Sequence, residues 1–301
     1  MITREIILRE QNTEDRINVV ILAGVHGNET HAVSAVYRLY RLMLQVTQDN
    51  DFRKVINKVN FVFNVNEYGL KHDERGNFFK NSEDTTDCNR IFSTGYLTVD
   101  GIKEEVERIV QPKGNKTLIL DVHNSIWCTP CVLIDYDKNT DKLLQYLKGT
   151  LLDKFVRPCN ADTIKKYANS INDNNYAYTV ELPGMGIQGD VDTSADLLLQ
   201  FIVRFATNVH TNNKTDFKFT QDYLPVPIFT KIDNGIVEYK NLKKNKYKKG
   251  EPICIVHSLH KNFEDGEIIK APFKGEIYDV EENLYTYPGK FLFTYGKVLD
   301  I

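Results

Sequence analysis

Val19-Val-Ile-Leu-Ala-Gly24, closed by His26-Gly-Asn-Glu29, and Leu118-Ile-Leu-Asp-Val122, closed by His123, are the two stretches that decide the fold. Each is short, almost wholly apolar, and ends abruptly in polar chemistry. A strand buried on both faces reads this way. Two imidazoles and a carboxylate delivered by two strand ends make a three-ligand set with one position open. That set suits catalytic rather than structural zinc.

Further apolar runs at residues 59–65, 132–135 and 176–181 alternate with stretches of helical spacing. Residues 30–44 carry Val33, Val36, Tyr37, Tyr40 and Leu44 as one stripe; residues 194–208 carry Leu197, Leu198, Phe201, Ile202 and Phe205. Residues 102–110 and 141–155 read as helices too. Buried strands separated by helices predict an α/β domain with a largely parallel sheet covered on both faces. Ligands of such folds sit beyond the carboxyl ends of strands, where both histidines lie. If a helix starts just after Gly24, His26 and Glu29 share one face of its first turn.

The texture changes after the polar stretch Thr211-Asn-Asn-Lys-Thr215. Short β-rich segments follow, at residues 235–239, 252–257, 266–270, 275–280 and 290–295, broken by Gly and Pro. The expected organisation is a catalytic domain over residues 1–212 and a small all-β domain over residues 213–301 that caps the site. The lysines at 240, 243, 244, 246, 248 and 249 read as a solvated hairpin tip.

Composition narrows the function. A net charge of -3 gives no reason to expect nucleic acid or an anionic membrane as partner. No apolar run is long enough to span a bilayer, and the first residues lack a signal-peptide core. Five scattered cysteines fit reduced thiols better than a disulfide framework, so a cytoplasmic setting is expected. Cys128-Thr-Pro-Cys131 has CxxC spacing but no second CxxC, and reads as two buried thiols.

Two more motifs carry chemistry. Asp87-Cys-Asn89-Arg90-Ile-Phe92 offers an amide and a guanidinium fork, which can grip one carboxylate or form a helix cap and a surface salt bridge. Asp87 or Asp121 can accept a hydrogen bond from the non-ligating nitrogen of a metal-bound histidine. Tyr178-Thr-Val-Glu181-Leu-Pro-Gly184 places a carboxylate at the end of a buried strand, where desolvation raises its pKa. Such a group can shuttle a proton, or it can be one half of a buried salt bridge.

Taken in order, His26-x-x-Glu29, Asp87-x-Asn89-Arg90-x-Phe92, Asp121-x-His123-Asn124 and Val180-Glu181 resemble the aspartoacylase/succinylglutamate desuccinylase family of the zinc carboxypeptidase superfamily. The resemblance covers nearly the whole chain. It implies a mixed sheet flanked by helices and one zinc held by His26, Glu29 and His123. It also implies Glu181 as general base and acid, and Asn89 and Arg90 as holders of a substrate carboxylate. Family members cleave N-acyl amino acids.

Departures from the family pattern shape the substrate. Aspartoacylases carry Asn-Pro-Arg where this chain has Asn66-Glu67-Tyr68, and an Arg ten residues before the catalytic Glu, where this chain has Ile171. Two guanidinium groups are thus missing, which argues against N-acetylaspartate. Carboxypeptidases place a carbonyl-polarising Arg between the Asn-x-x-Gly turn and the Asn-Arg pair, a place comparable to Arg75. Arg75 is therefore the candidate oxyanion stabiliser, or a salt-bridge partner of Asp73 or Glu74. A family tyrosine that closes the pocket matches Tyr285 or Tyr287, and Trp127 is a candidate for lining an acyl pocket.

The expected function is zinc-dependent deacylation of a small N-acyl amino acid, by a chain with no nucleic-acid or membrane partner that can form homo-oligomers. Alternatives are a carboxypeptidase or peptide amidase, and a zinc-containing binding protein without catalysis.

Overall fold

The computed structural model describes residues 2–8, 16–46, 50–78, 85–87, 89–90, 92, 102–110, 115–125, 129–158, 161–184, 190–217, 219, 226–232, 235–240, 246–259, 266–280 and 285–299. The first two thirds of the chain form β1 (Thr3–Ile7), β2 (Ile17–Ala23), α1 (Thr30–Val46), α2 (Asn50–Val55), β3 (Ile56–Val62), α3 (Glu67–His72), β4 (Asn77–Phe78), β5 (Thr85–Thr86), α4 (Ile102–Val110), β6 (Thr117–Ser125), β7 (Cys131–Tyr136), α5 (Thr140–Leu144), β8 (Asp153–Pro158), α6 (Ile164–Ile171), β9 (Asn175–Pro183) and α7 (Val191–His210).

Among these residues, seven strands build one mixed sheet in the order β1-β3-β2-β6-β9-β7-β8. Strands β3, β2, β6 and β9 run parallel to one another, β1 is antiparallel to β3, and β7, with β8 parallel to it, reverses against β9, so the sheet is mixed rather than largely parallel. Every residue of β2 is buried, which is why its sequence shows no alternation. Helices cover both faces. One apolar layer joins the sheet to α1 and α7, and the other joins it to α4 and α6. A fully buried aliphatic side chain contributes about 1.5–3 kcal/mol, so this central sheet carries most of the hydrophobic stabilisation.

Two helical expectations need correction. Residues 141–155 are not one helix: α5 ends at Leu144, Gly149 takes a φ of 67°, and Asp153–Pro158 forms β8. Phe155 and Val156 are drawn into the sheet by pairing with Leu133 and Ile134 of β7. The buried stripe of α1 is Ala32, Ala35, Val36, Leu39 and Met43, about one residue rotated from the expected face. Small alanines let the helix lie close to the sheet, while Tyr37 and Leu44 stay exposed.

Beyond α7 come β10 (Val226–Phe229), β11 (Gly235–Tyr239), β12 (Lys246–Tyr247), β13 (Pro252–Ser258), β14 (Gly266–Lys270), β15 (Gly275–Val280), β16 (Tyr285–Thr286) and β17 (Phe291–Gly296). They form two four-stranded antiparallel sheets around a separate core containing Ile253, Val256, Phe293 and Tyr295. The last described residues return to the first sheet. Leu299 N donates to Lys154 O of β8 at 3.0 Å, and Val298 packs on Cys131, Leu133 and Phe155. Lys243 and Lys244 of the expected hairpin tip lie outside the described residues.

Candidate active site

The site grows from the carboxyl ends of β2, β6 and β9, at the centre of the sheet. Parallel pairing sets Asp121 beside Thr179 and His123 beside Glu181. Register-matched side chains point to one face, so these four residues form a two-by-two block.

His26 and Glu29 are not on a helix. The helix expected to begin just after Gly24 begins at Thr30, and the intervening residues form a turn in which Glu29 N donates to His26 O at 3.2 Å. Two glycines make this turn possible. Gly24 has a φ of 72°, in the left-handed region. Gly27 lies against α3: a Cβ there would stand 1.9 Å from the Gly69 carbonyl carbon. Gly27→Ala is therefore expected to displace the turn, costing about 1–3 kcal/mol of stability and most of the activity. Chemical denaturation and turnover measured on the same preparation check this.

The three ligand candidates converge. His26 Nδ1 is 2.8 Å from Glu29 Oε1, His123 Nδ1 is 2.8 Å from Glu29 Oε2, and the two Nδ1 atoms are 3.0 Å apart. The far nitrogens are held by carboxylates: His26 Nε2 by Asp87 Oδ1 at 2.9 Å, His123 Nε2 by Asp121 Oδ2 at 3.0 Å. A carboxylate only accepts, so each Nε2 carries the proton. In the neutral rings both Nδ1 lone pairs then face one another beside a third anionic donor. A cation is what satisfies such a set. Donors about 2.0–2.2 Å from a tetrahedral ion stand roughly 3.3–3.5 Å apart, so a few tenths of an ångström of opening accommodates zinc.

Electrostatics agree with that reading. Burial would lower the pKa of His123, but Asp121 and Glu29 outweigh it and raise it well above the ordinary value. Burial would raise that of Glu29, yet His123 and His26 hold it well below the usual carboxylate range. Asp87 is likewise lowered, against its burial, by His26 and by Arg75 and Arg90. Glu181 moves the other way: burial raises it, with Glu29 adding and His123 opposing. Among the described residues no hydrogen bond or ion pair engages its carboxylate.

Arg75 joins this cluster rather than Asp73 or Glu74. Its Nε donates to Asp87 Oδ2 and its Nη1 to Glu29 Oε1, both at 3.2 Å, and about half of the side chain stays exposed. It is presented by α3, which Asn66 caps by accepting from Gly69 N at 2.9 Å; Asp73 ends the helix in the left-handed region.

Asn89 and Arg90 part company. Asn89 is buried, with Nδ2 3.1 Å from Asp121 Oδ2 and 3.2 Å from His123 Nε2, while its Oδ1 accepts from Ile164 N at 3.1 Å. Its amide is thus turned into the fold. Arg90 is exposed, donates to Asn89 O at 3.0 Å, and lies 3.9 Å from Asp87. Sequence reading missed this internal role of Asn89; the start of α6 that it bonds has no marker beyond Thr163.

Three further positions from the sequence remain. Ile171 ends α6 and packs in the apolar layer below the sheet. Six residues of β9 separate that end from Glu181, about 20 Å at strand rise, so counting ten residues back does not reach the pocket. Tyr285 and Tyr287 are exposed, on and just after β16. Trp127 and Cys128 lie outside the described residues, and Cys131 is buried.

Residues 15–202 match the profile of the succinylglutamate desuccinylase/aspartoacylase catalytic domain. The chain belongs to this family. Solved relatives share its fold. An aspartoacylase family protein from Mesorhizobium loti aligns with a TM-score of 0.66 and 15% identity over 94% of this chain and 87% of its own. A succinylglutamate desuccinylase from a Silicibacter species gives 0.63 and 14% over 93% and 85%. An ectoine utilization protein from Ruegeria pomeroyi gives 0.64 and 13% over 93% and 85%. No functionally curated protein matches the chain in sequence. Family membership supports an enzyme acting on amides and binding a small-molecule substrate. Among the described residues no helix is long and apolar enough to cross a membrane.

Proposed function

We propose that this family member is a zinc-dependent deacylase of small N-acyl amino acids, cytoplasmic, with a catalytic domain over residues 1–212 and a β domain over 213–301. The carrying observation is the convergence of His26, Glu29 and His123 with both outer nitrogens locked to carboxylates. These three residues would hold the zinc. When bound, zinc supplies a Lewis acid that acidifies water and polarises the acyl carbonyl.

The chain's own residues do the rest. Glu181, raised by burial and free of partners among the described residues, accepts the proton of the attacking water and returns it to the departing amine. Arg75 stays charged, because Asp87, Glu29 and Glu181 outweigh the effect of its burial. It is the proposed stabiliser of the negative charge that develops on the acyl oxygen. Arg90 is the proposed anchor of the substrate carboxylate, with Asn89 holding the loop that presents it. With Arg90 the less committed of the two cations, one substrate carboxylate and an apolar or aromatic remainder fit best. Tyr285 is kept as the proposed closing residue.

Two results are expected. Arg90→Gln should lower kcat/KM by about 10–100-fold on carboxylate-bearing substrates, the worth of a charged hydrogen bond, and much less on their amides. Steady-state kinetics on the paired substrates measure it. Zinc uptake should release a proton, because His123 with its raised pKa must give one up, so affinity should strengthen as pH rises through neutrality. Competition titrations at several pH values check the sign. The substrate class is tested by amine release from N-acetyl, N-succinyl and N-aroyl amino acids beside a dipeptide panel. Turnover of dipeptides alone would move the assignment to a peptidase.

A further inference from the structure

Two buried oxygens on facing positions of β6 and β9 lack partners. Asp121 is fully buried; its Oδ2 serves His123 Nε2 at 3.0 Å and Asn89 Nδ2 at 3.1 Å, while its Oδ1 has no hydrogen-bond partner among the described residues. Thr179 is 2% exposed, and its Oγ1 is equally unpartnered. The two residues are register partners, Asp121 with Thr179, one step below the pair of His123 with Glu181. Neighbouring strands lie about 4.8 Å apart, and register partners share a face. An orphaned hydroxyl and an orphaned carboxylate oxygen are therefore carried by facing residues of adjacent strands, too far apart to bond directly.

Leaving either atom unpaired costs about 1–3 kcal/mol, and a β-branched residue alone would fill this strand position without a hydroxyl. Valine would pack the same volume. The hydroxyl is the part that needs a reason.

We infer that Thr179 is a positioning residue for the metal centre: its hydroxyl is joined to Asp121 Oδ1 through one bridging water. Asp121 is then held from both oxygens. His123 and Asn89 engage one, Thr179 the other. A carboxylate fixed at both ends cannot swing, so the His123 ring keeps Nδ1 aimed at His26 and Glu29. Because β9 also carries Glu181 two residues on, the same strand that supplies the base steadies the ligand. Thr179 touches neither substrate nor metal, and acts through Asp121 and His123.

The inference rests on the zinc reading, and the test separates the two. Zinc affinity of the chelator-stripped full chain is measured by competition with a chromophoric chelator for wild type, T179V, T179S and T179A. Loss of the carboxylate directly behind a ligating histidine lowers metal affinity by about 10–100-fold; T179V keeps Asp121 but loosens it, so a fall at the low end of that range, about 10-fold, is expected. T179S should restore affinity to near wild type. T179A, which cannot overpack, serves if T179V fails to fold. Urea unfolding of the metal-free proteins isolates a purely structural effect, which would change stability but not the affinity ratio between folded T179V and T179S. Equal zinc affinity for wild type, T179V and T179A overturns the role of Thr179 and leaves the zinc reading standing. A wild-type chain that takes up no zinc overturns both.

Discussion

Glu181→Gln is expected to lower kcat by about 10²–10⁴-fold while zinc content and fold stay as in wild type. The reason lies in how the structure spends this carboxylate. Glu29, Asp87 and Asp121 are each committed to a histidine at 3.0 Å or less. Glu181 alone among the four has no partner among the described residues, although it sits beside His123 in register. A partly buried carboxylate without a partner is destabilised as an anion, which keeps its pKa up and makes it a competent proton acceptor and donor. Glutamine keeps the shape and removes that ability. Turnover measured with metal content on the same sample decides the matter. Near wild-type kcat would remove Glu181 from the mechanism, and loss of zinc would make it a ligand instead.

The second large effect concerns the ligands. His123→Ala is expected to abolish zinc binding and, with it, turnover. His123 ties four neighbours together: it meets His26, Glu29, Asp121 and Asn89. Its removal leaves Asp121 buried with no imidazole to answer it, a loss of about 3–5 kcal/mol for a broken buried pair. Metal analysis and thermal unfolding should fall together. His123→Ala protein that keeps both zinc and stability would show that the ion sits elsewhere.

Much of this was legible in the chain. The central strands β2, β6 and β9 announce themselves because burial on both faces demands uninterrupted apolar residues. The antiparallel strands near the C-terminus are visible through their Gly and Pro punctuation, and three of them match to the residue. The His26, Glu29 and His123 motifs are readable because they lie at or just past the carboxyl ends of β2 and β6. Edges were less legible. Strand β8 hides because Leu143, Leu144, Leu147 and Leu151 continue a helical spacing that Gly149 interrupts. Strand β1 is a short half-exposed edge that, among the described residues, pairs only with β3. The inward turn of Asn89 is a tertiary fact: it depends on Asp121 and Ile164, which are 32 and 75 residues away. Where Ile171 lies was also not legible, since sequence distance along β9 carries the chain away from the site to the end of α6.

The most direct test strips the protein with chelator and titrates zinc back while hydrolysis of its best N-acyl amino acid is followed. The account predicts no turnover in the stripped chain and recovery to a plateau at one zinc per chain, with His26→Ala failing to recover. Full turnover by the stripped wild-type chain would contradict it.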